Sequence, residues 1–171
     1  MRALLAAAGM ALFLAPAQQS RISPHEQTSG VIDGARVTIT YGRPSMRGRT
    51  VFGALVPYDH VWCPGADEAT VLDSDRPIQL GTLTVPAGPY TIWVLPTANQ
   101  WTLIVSREPS GFHTQYHPQA DLVRVPMTKR ALDQTVEQLT FAIAADAAPH
   151  AGRITMTWEN TAVSAAFVVA R

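Results

Sequence analysis

The chain has 171 residues, of which 47% are hydrophobic and 15% are charged, and its formal net charge at pH 7 is zero. This length favours a single domain, and the apolar content is sufficient to build a core. A neutral chain lacks the excess positive charge that attracts nucleic acid or anionic lipid, so neither partner is predicted.

The first 17 residues have the features of a secretory signal peptide. Arg2 supplies a positive start, residues 3–14 are apolar apart from Gly9, and residues 15–17 (Ala-Pro-Ala) end the run with small side chains. The run is shorter than the roughly 20 residues that span a bilayer, which favours cleavage after Ala17 over a membrane anchor. With no later run of spanning length, we predict a periplasmic or secreted protein without stable membrane insertion.

Along most of the remaining chain, apolar residues alternate with polar ones, which is the period of half-buried strands. Residues 18–29 are predicted to form a loose leader, and residues 30–171 a single folded domain. Hairpins are predicted at 78–85, 90–106 and 152–171, and further strands at 36–41, 69–72, 122–125 and 139–143.

The fold class predicted from these segments is all-β: an antiparallel β-sandwich of about eight or nine short strands, with a closed barrel as the alternative. Residues 131–138 are predicted to hold one helical turn at most, because no segment shows a strong apolar period of 3.6.

Residues 42–70 differ from the rest of the chain because they are irregular, polar and rich in glycine. Loops of this kind on a β scaffold commonly carry function. The segment supplies the candidate ligand-binding residues Arg43, Arg47, Arg49, Trp62, Cys63, Asp67 and Glu68.

Arginines and acids in this segment allow two interpretations. A guanidinium group binds carboxylate or phosphate through paired hydrogen bonds, so Arg43, Arg47 and Arg49 are consistent with an anion-binding loop. Alternatively, one arginine pairs internally with Asp67 or Glu68, since buried charges need partners. Adjacent residues of an extended backbone point to opposite faces, so only one of the two acids can face a site.

No motif in the chain indicates a cofactor, a metal or a catalytic nucleophile. Cys63 is the only cysteine, so no internal disulfide can form, and both a buried inert thiol and a reactive one stay open. His113 and His117 are four apart but lie in a predicted loop, where that spacing does not indicate a metal site. The nucleophile elbow and the phosphate-binding loops are absent, which argues against a hydrolase of the α/β class and against nucleotide binding.

The four tryptophans of the chain are interpreted mainly as residues of the hydrophobic core. Trp93 and Trp158 lie in strand patterns, Trp101 opens a strand after a turn and is predicted to be partly exposed, and Trp62 adjoins the candidate site. A sugar-stacking platform is the alternative, but aromatic side chains dominate the cores of sandwiches.

Several motifs occur in a fixed order along the mature chain. They are Tyr41-Gly42-Arg43-Pro44, Arg47-Gly48-Arg49, Leu55-Val56-Pro57-Tyr58, Val61-Trp62, the GADEAT run at 65–70, and the segments 83–90 and 101–104. This ordered set resembles the DUF2911 family, a group of exported bacterial proteins of unknown function. The resemblance implies a β-sandwich and an envelope location, and it implies no activity.

The chain departs from the family pattern at three positions. Cys63 stands where arginine is usual, Asp67 where asparagine is usual, and Asp59 where glycine is usual. The charge balance of the candidate site therefore differs from that of the pattern.

The sequence favours a non-catalytic protein that binds a small or polymeric ligand in the cell envelope. One alternative is a hydrolase in which Glu68 or Asp67 acts as base and the arginines stabilise an oxyanion. Another is a structural or interaction protein that uses exposed strand edges.

Overall fold

The computed structural model describes residues 22–108 and 115–171. The predicted signal peptide, its cleavage point after Ala17, and His113 lie outside the described residues. The described residues contain a 3-10 turn at Pro118–Ala120 and nine strands: β1 (His25–Ile32), β2 (Ala35–Gly42), β3 (Val71–Ser74), β4 (Ile78–Leu80), β5 (Leu83–Val85), β6 (Gly88–Pro96), β7 (Trp101–Ser106), β8 (Asp121–Ala145) and β9 (Ala151–Val169).

All strand pairs are antiparallel, and hydrogen bonds join them in the order β1-β2-β3-β6-β7-β8-β9-β4-β5. The prediction of an all-β, antiparallel fold with eight or nine strands is therefore confirmed. The predicted hairpins at 78–85 and 90–106 correspond to β4–β5 and β6–β7. Since the pairing is continuous across all nine strands, the division into the two separate sheets of a sandwich stays a prediction.

β1 begins earlier than the sequence analysis placed the first strand. Residues 25–29, predicted as part of a loose leader, lie in β1 and pair with β2. The two strands are joined by Asp33 (φ 48°) and Gly34 (φ 77°). Positive φ at both loop residues is what a type I′ hairpin requires, and Asp-Gly is a preferred pair for it.

The last two strands are longer than predicted. β8 runs from Asp121 to Ala145, past residue 125, where a predicted strand ended, and through the helical turn predicted at 131–138. β9 is likewise one strand, and the hairpin predicted at 152–171 is wrong. Glu159 has a left-handed φ of 53°, but β9 pairs with β8 on both sides of it, so the irregularity is a bulge rather than a turn.

Both faces of the central strands are buried. On β6, Ile92 and Val94 pack into the main hydrophobic cluster, together with Val37 and Ile39 of β2. Trp93, between them, points to the opposite face. There it forms a second cluster with Cys63, Ala69 and Ile104. Part of the 42–70 segment therefore lies over a sheet face that would otherwise meet solvent, because side chains alternate along a strand.

Candidate functional site

The start of the 42–70 segment is held by a bulge in β8. Residues 137–139 of β8 face a single β9 residue, since Val136 pairs with Glu159 and Thr140 with Thr157. The backbone groups released there bind the loop. Met46 N–H donates to the Glu137 carbonyl (2.9 Å), and Leu139 N–H donates to the Pro44 carbonyl (3.0 Å).

A carboxylate from β9 holds the next part of the segment. Glu159 accepts hydrogen bonds from the backbone N–H groups of Val51 (3.1 Å) and Phe52 (3.4 Å). Beside it, the Trp158 indole N–H donates to the Glu137 carbonyl at 3.1 Å. Residues 44–52 are therefore anchored to β8 and β9 by both backbone and side-chain groups.

Residues 61–70 lie along the edge of β6. Trp62 and Val94 exchange two backbone hydrogen bonds of 2.8 Å each, continuing the pairing of β6 beyond β3. The Thr70 hydroxyl donates to the Pro64 carbonyl at 2.9 Å. Gly42 is required here, because a Cβ atom at that position would lie 2.0 Å from the Ala66 carbonyl oxygen.

These anchored segments enclose a cavity of about 550 Å³ against β6 and β9. We call it the aromatic cavity, because four of its lining residues are aromatic: Trp62, Trp93, Tyr116 and Trp158. Arg49 and Asp67 are its charged lining residues, and exposed Leu55 contributes apolar surface.

Aromatic rings pack against one another in the cavity walls. Trp62 stacks on Trp158 with ring centroids 6.0 Å apart and planes inclined by 20°, and the edge of Phe52 meets Trp62 at 6.4 Å. On the other side, the Trp93 and Tyr116 rings are 5.2 Å apart. Trp93 and Trp158 are buried, whereas Trp62 and Tyr116 are partly exposed and are the rings that a ligand could reach.

Four of the predicted site residues line this cavity: Arg49, Trp62, Cys63 and Asp67. Arg43, Arg47 and Glu68 are not among the lining residues. The segment therefore divides into residues that surround the cavity and residues that hold the loop in place.

Arg43 is a clamp between strands. Its guanidinium pairs with Glu26 of β1 at 2.9 Å, donates to the Leu139 carbonyl of β8 at 3.1 Å, and donates to the Thr140 hydroxyl at 2.9 Å. The internal acid partner that the sequence analysis expected for an arginine of this loop is here Glu26, rather than Asp67 or Glu68.

Arg47 and Glu68 also make structural contacts. The Arg47 guanidinium donates to the Ile22 carbonyl at 3.2 Å, and its backbone N–H donates to the Glu137 carboxylate at 2.8 Å. Glu68 lies 3.5 Å from the ring of His25 in β1. These contacts tie the segment to β1 and β8.

Cys63 is fully buried, and its thiol is not bonded to another cysteine. Its sulfur accepts a hydrogen bond from the Thr70 backbone N–H at 3.3 Å. Burial raises the pKa of the Cys63 thiol, an effect partly offset by the Thr70 hydrogen bond. The thiol is therefore protonated at neutral pH, which favours the inert interpretation over the reactive one.

Tyr116 was missed by the sequence analysis. Its hydroxyl donates to the Asp121 carboxylate at 2.7 Å and accepts a hydrogen bond from Arg124. Burial, with the nearby Asp121 carboxylate, raises the pKa of Tyr116 to about 12. In the sequence, this tyrosine lies in an irregular stretch next to His117, and no motif marks it as part of a site.

The described ranges, 22–108 and 115–171, contain no group of three or more His, Cys, Asp or Glu residues that could hold a metal ion. Within the same ranges, no helix is long and apolar enough to cross a membrane.

The family model described as protein of unknown function (DUF2911) matches residues 23–167. No curated protein and no solved structure matches the chain. The match begins just before β1 and ends two residues before the end of β9. It includes the whole 42–70 segment and every residue named above as lining the cavity. The resemblance seen in the motifs is thereby confirmed: this chain belongs to the DUF2911 family.

Proposed function

We propose that this protein binds a small ligand in the aromatic cavity without transforming it, and that it does so outside the cytoplasm. The observation that carries the proposal is the cavity itself. Its volume of about 550 Å³ falls within the roughly 300–1,000 Å³ typical of small-molecule sites. Its lining combines aromatic walls with two charged residues, Arg49 and Asp67, which is the usual composition of such sites.

Three groups that a hydrolase could use, Glu68, Cys63 and Arg43, are poorly placed or poorly suited for catalysis, which favours binding. Glu68, one of the two predicted bases, does not line the cavity and is next to His25. Cys63 lines it as a buried thiol whose pKa is raised by burial, so it is a poor nucleophile at neutral pH. The guanidinium of Arg43 is hydrogen-bonded to β1 and β8, so it is not available to stabilise an oxyanion.

Location outside the cytoplasm rests on the N-terminal sequence. Residues 1–17 have the charge, apolar run and small-residue ending of a signal peptide. An exported binding protein of this family would meet its ligand in the periplasm or in the medium.

A matched pair of leucine variants tests the binding proposal. Leu55 lines the cavity and is 42% exposed, whereas Leu83 of β5 is 38% exposed and is not a lining residue. A library of small ring compounds is screened against the protein by ligand-observed NMR, and the dissociation constants of the hits are then measured. We expect Leu55→Ala to weaken the hits about fivefold, the effect of losing about 1 kcal/mol of apolar contact, and Leu83→Ala to leave them unchanged.

Trp62→Ala is the stronger variant at the same site. It removes the accessible stacking ring, and we expect at least a tenfold loss of affinity for ring ligands, with folding checked by circular dichroism. A library without hits, or hits that bind both leucine variants and Trp62→Ala as tightly as the parent, would overturn the proposal.

A further inference from the structure

We infer that the ligand is a ring-bearing carboxylate whose ring stacks on Trp62 and whose carboxylate is held by Arg49. This inference rests on the proposed binding function and specifies the chemical class of the ligand. Two features of the cavity support this inference: the hydrogen bonds of the Arg49 guanidinium and the ring contacts of Trp62.

Among the described residues, the guanidinium of Arg49 donates only to neutral acceptors. Its Nε donates to the Met46 carbonyl at 2.8 Å and its Nη2 to the Ser45 carbonyl at 2.9 Å. Both acceptors are neutral. Within residues 22–108 and 115–171, no carboxylate lies at salt-bridge distance from Arg49, so its positive charge can be offered to a ligand.

Three other arginines of the protein are paired with carboxylates. Arg43 pairs with Glu26, Arg124 with Asp121, and Arg153 with Asp146. These guanidinium groups are neutralised inside the fold. Arg49 lines the aromatic cavity, and charged hydrogen-bond donors at such a position favour an anion.

A tight turn fixes the position of the Arg49 side chain. Arg47 (φ 51°) and Gly48 (φ 71°) both have left-handed backbone conformations. The Arg49 backbone N–H donates a hydrogen bond to the Met46 carbonyl at 3.1 Å. The guanidinium is therefore oriented by two carbonyls of its own turn, while Nη1 has no partner among the described residues. A group oriented in advance loses less entropy when it binds a ligand.

Trp62 supplies a supported ring surface beside this charge. The ring is partly exposed and is backed by the stack with Trp158 and the edge of Phe52. Aromatic rings prefer offset-stacked partners. A ligand with a flat ring and one carboxylate satisfies both Trp62 and Arg49 at once, whereas a neutral or cationic ring satisfies only Trp62.

Asp67 opposes this preference, because its carboxylate also lines the cavity. A like charge near a bound carboxylate weakens binding. We therefore expect Asp67→Asn to bind the anionic ligand more tightly than the parent protein does, by about two- to fivefold.

The test compares three indole probes that differ in charge: indole-3-propionate, neutral 3-ethylindole and cationic tryptamine. Affinities are measured by calorimetry at low and at high salt. We expect indole-3-propionate to bind about tenfold more tightly than either other probe, since hydrogen bonds to a charged partner are the stronger ones. We also expect this advantage to shrink at high salt.

Arg49→Gln is expected to remove the advantage of indole-3-propionate and to leave 3-ethylindole unchanged. Arg47→Gln, two positions away and outside the cavity lining, is the matched control and should change neither affinity. Arg49→Lys retains the charge without the planar fork and should retain part of the advantage. Thermal melting confirms that each variant is folded.

Two outcomes would overturn the inference. Equal affinities for the three probes, or an Arg49→Gln variant that still prefers indole-3-propionate, would contradict the role of Arg49 while leaving the proposed binding function standing. Absence of binding by all three probes would contradict the ligand class, and the ring-compound screen with the leucine variants then decides the binding function independently.

Discussion

At the scale of single residues, the structure explains two departures from the family pattern. Asp59 and Asp67 both have a φ of 65°, in the left-handed region that glycine enters freely and asparagine enters more readily than most residues. The pattern has glycine and asparagine at these positions, so the backbone geometry accounts for both preferences. Aspartate is tolerated there at some cost in stability.

Replacing Asp59 by glycine should therefore stabilise the protein. Asp59 is exposed, and its backbone N–H bonds to the Pro96 carbonyl at 2.8 Å, a bond that glycine retains. We expect Asp59→Gly to raise the free energy of unfolding by about 0.5 kcal/mol, measured by urea denaturation. The same change at exposed Asp73 in β3 is the control and should destabilise, because glycine weakens a strand. A loss of stability at Asp59 would contradict the geometric explanation.

Cys63 leads to a prediction about pH. Burial raises the pKa of its thiol above the ordinary value of 9.0, so the folded protein holds this proton more firmly than the unfolded chain does. The stability contributed in this way is fully present below pH 9 and is lost as the pH rises through the folded-state pKa.

We therefore expect the stability of the parent protein to fall more steeply above pH 9 than that of Cys63→Ala. The difference between the two proteins isolates the thiol from Tyr41 and Tyr116, whose pKa values are also raised. Urea denaturation between pH 7 and pH 10 measures it. Parallel stability curves would show that folding does not raise the pKa of the Cys63 thiol. Rapid labelling of the native thiol by iodoacetamide would show that Cys63 is accessible.

Residue types in the sequence pointed to some of the residues that line the cavity and not to others. A tryptophan beside a glycine-rich loop was visible in the sequence, and this residue, Trp62, does line the cavity. Tyr116 was not visible, because its place in the cavity depends on the packing of its ring against Trp93 of β6. The structural role of Arg43 was not visible either, because it depends on contacts with Leu139 and Thr140, which are far along the chain.

At the scale of elements, the bulge in β8 is what places the cavity. It releases backbone groups of residues 137–139, which bind residues 44–46 of the loop, and Arg43 adds side-chain bonds to the same stretch. Strand alternation identified the regular hairpins β4–β5 and β6–β7. It did not identify a bulged strand of 25 residues, because each bulge shifts the alternation and makes one strand look like several short ones.

Arg43 should therefore act on stability rather than on ligand binding. It joins Glu26 of β1 to Leu139 and Thr140 of β8 through part-buried hydrogen bonds. We expect Arg43→Ala to lower the free energy of unfolding by about 2 kcal/mol and to leave the affinity for a cavity ligand unchanged. Glu26→Gln keeps the carbonyl contacts and should cost less, about 0.5–1 kcal/mol. A selective loss of binding in Arg43→Ala, at unchanged stability, would place Arg43 in the site.

At the scale of the whole molecule, one continuous antiparallel sheet carries the aromatic cavity on its loop-covered side. Period-two alternation was sufficient to predict an all-β fold. It was not sufficient to predict the strand order, in which β4 and β5 pair beyond β9, because pairing between distant strands depends on packing that no local pattern records.

The proposed export predicts where the mature chain begins. When the full-length gene product is expressed in a bacterial host, we expect the protein in the periplasm or the medium to begin at Gln18, by N-terminal sequencing and intact mass. A bulky residue at the position before the cut, as in Ala17→Leu, should slow processing, because signal peptidases require small residues there. An uncut chain retained in the cytoplasm would contradict the proposed location.

The central claim, that the aromatic cavity binds the ligand, is tested most directly by NMR of the four tryptophan indole N–H groups during titration with indole-3-propionate. Trp62, Trp93 and Trp158 line the cavity. Trp101, which was predicted to be partly exposed, is fully buried and is not a lining residue. We expect the Trp62 resonance to shift most and the Trp101 resonance to stay in place. A saturable titration that moves Trp101 and leaves Trp62 unchanged, or one that moves no indole resonance, would contradict the account.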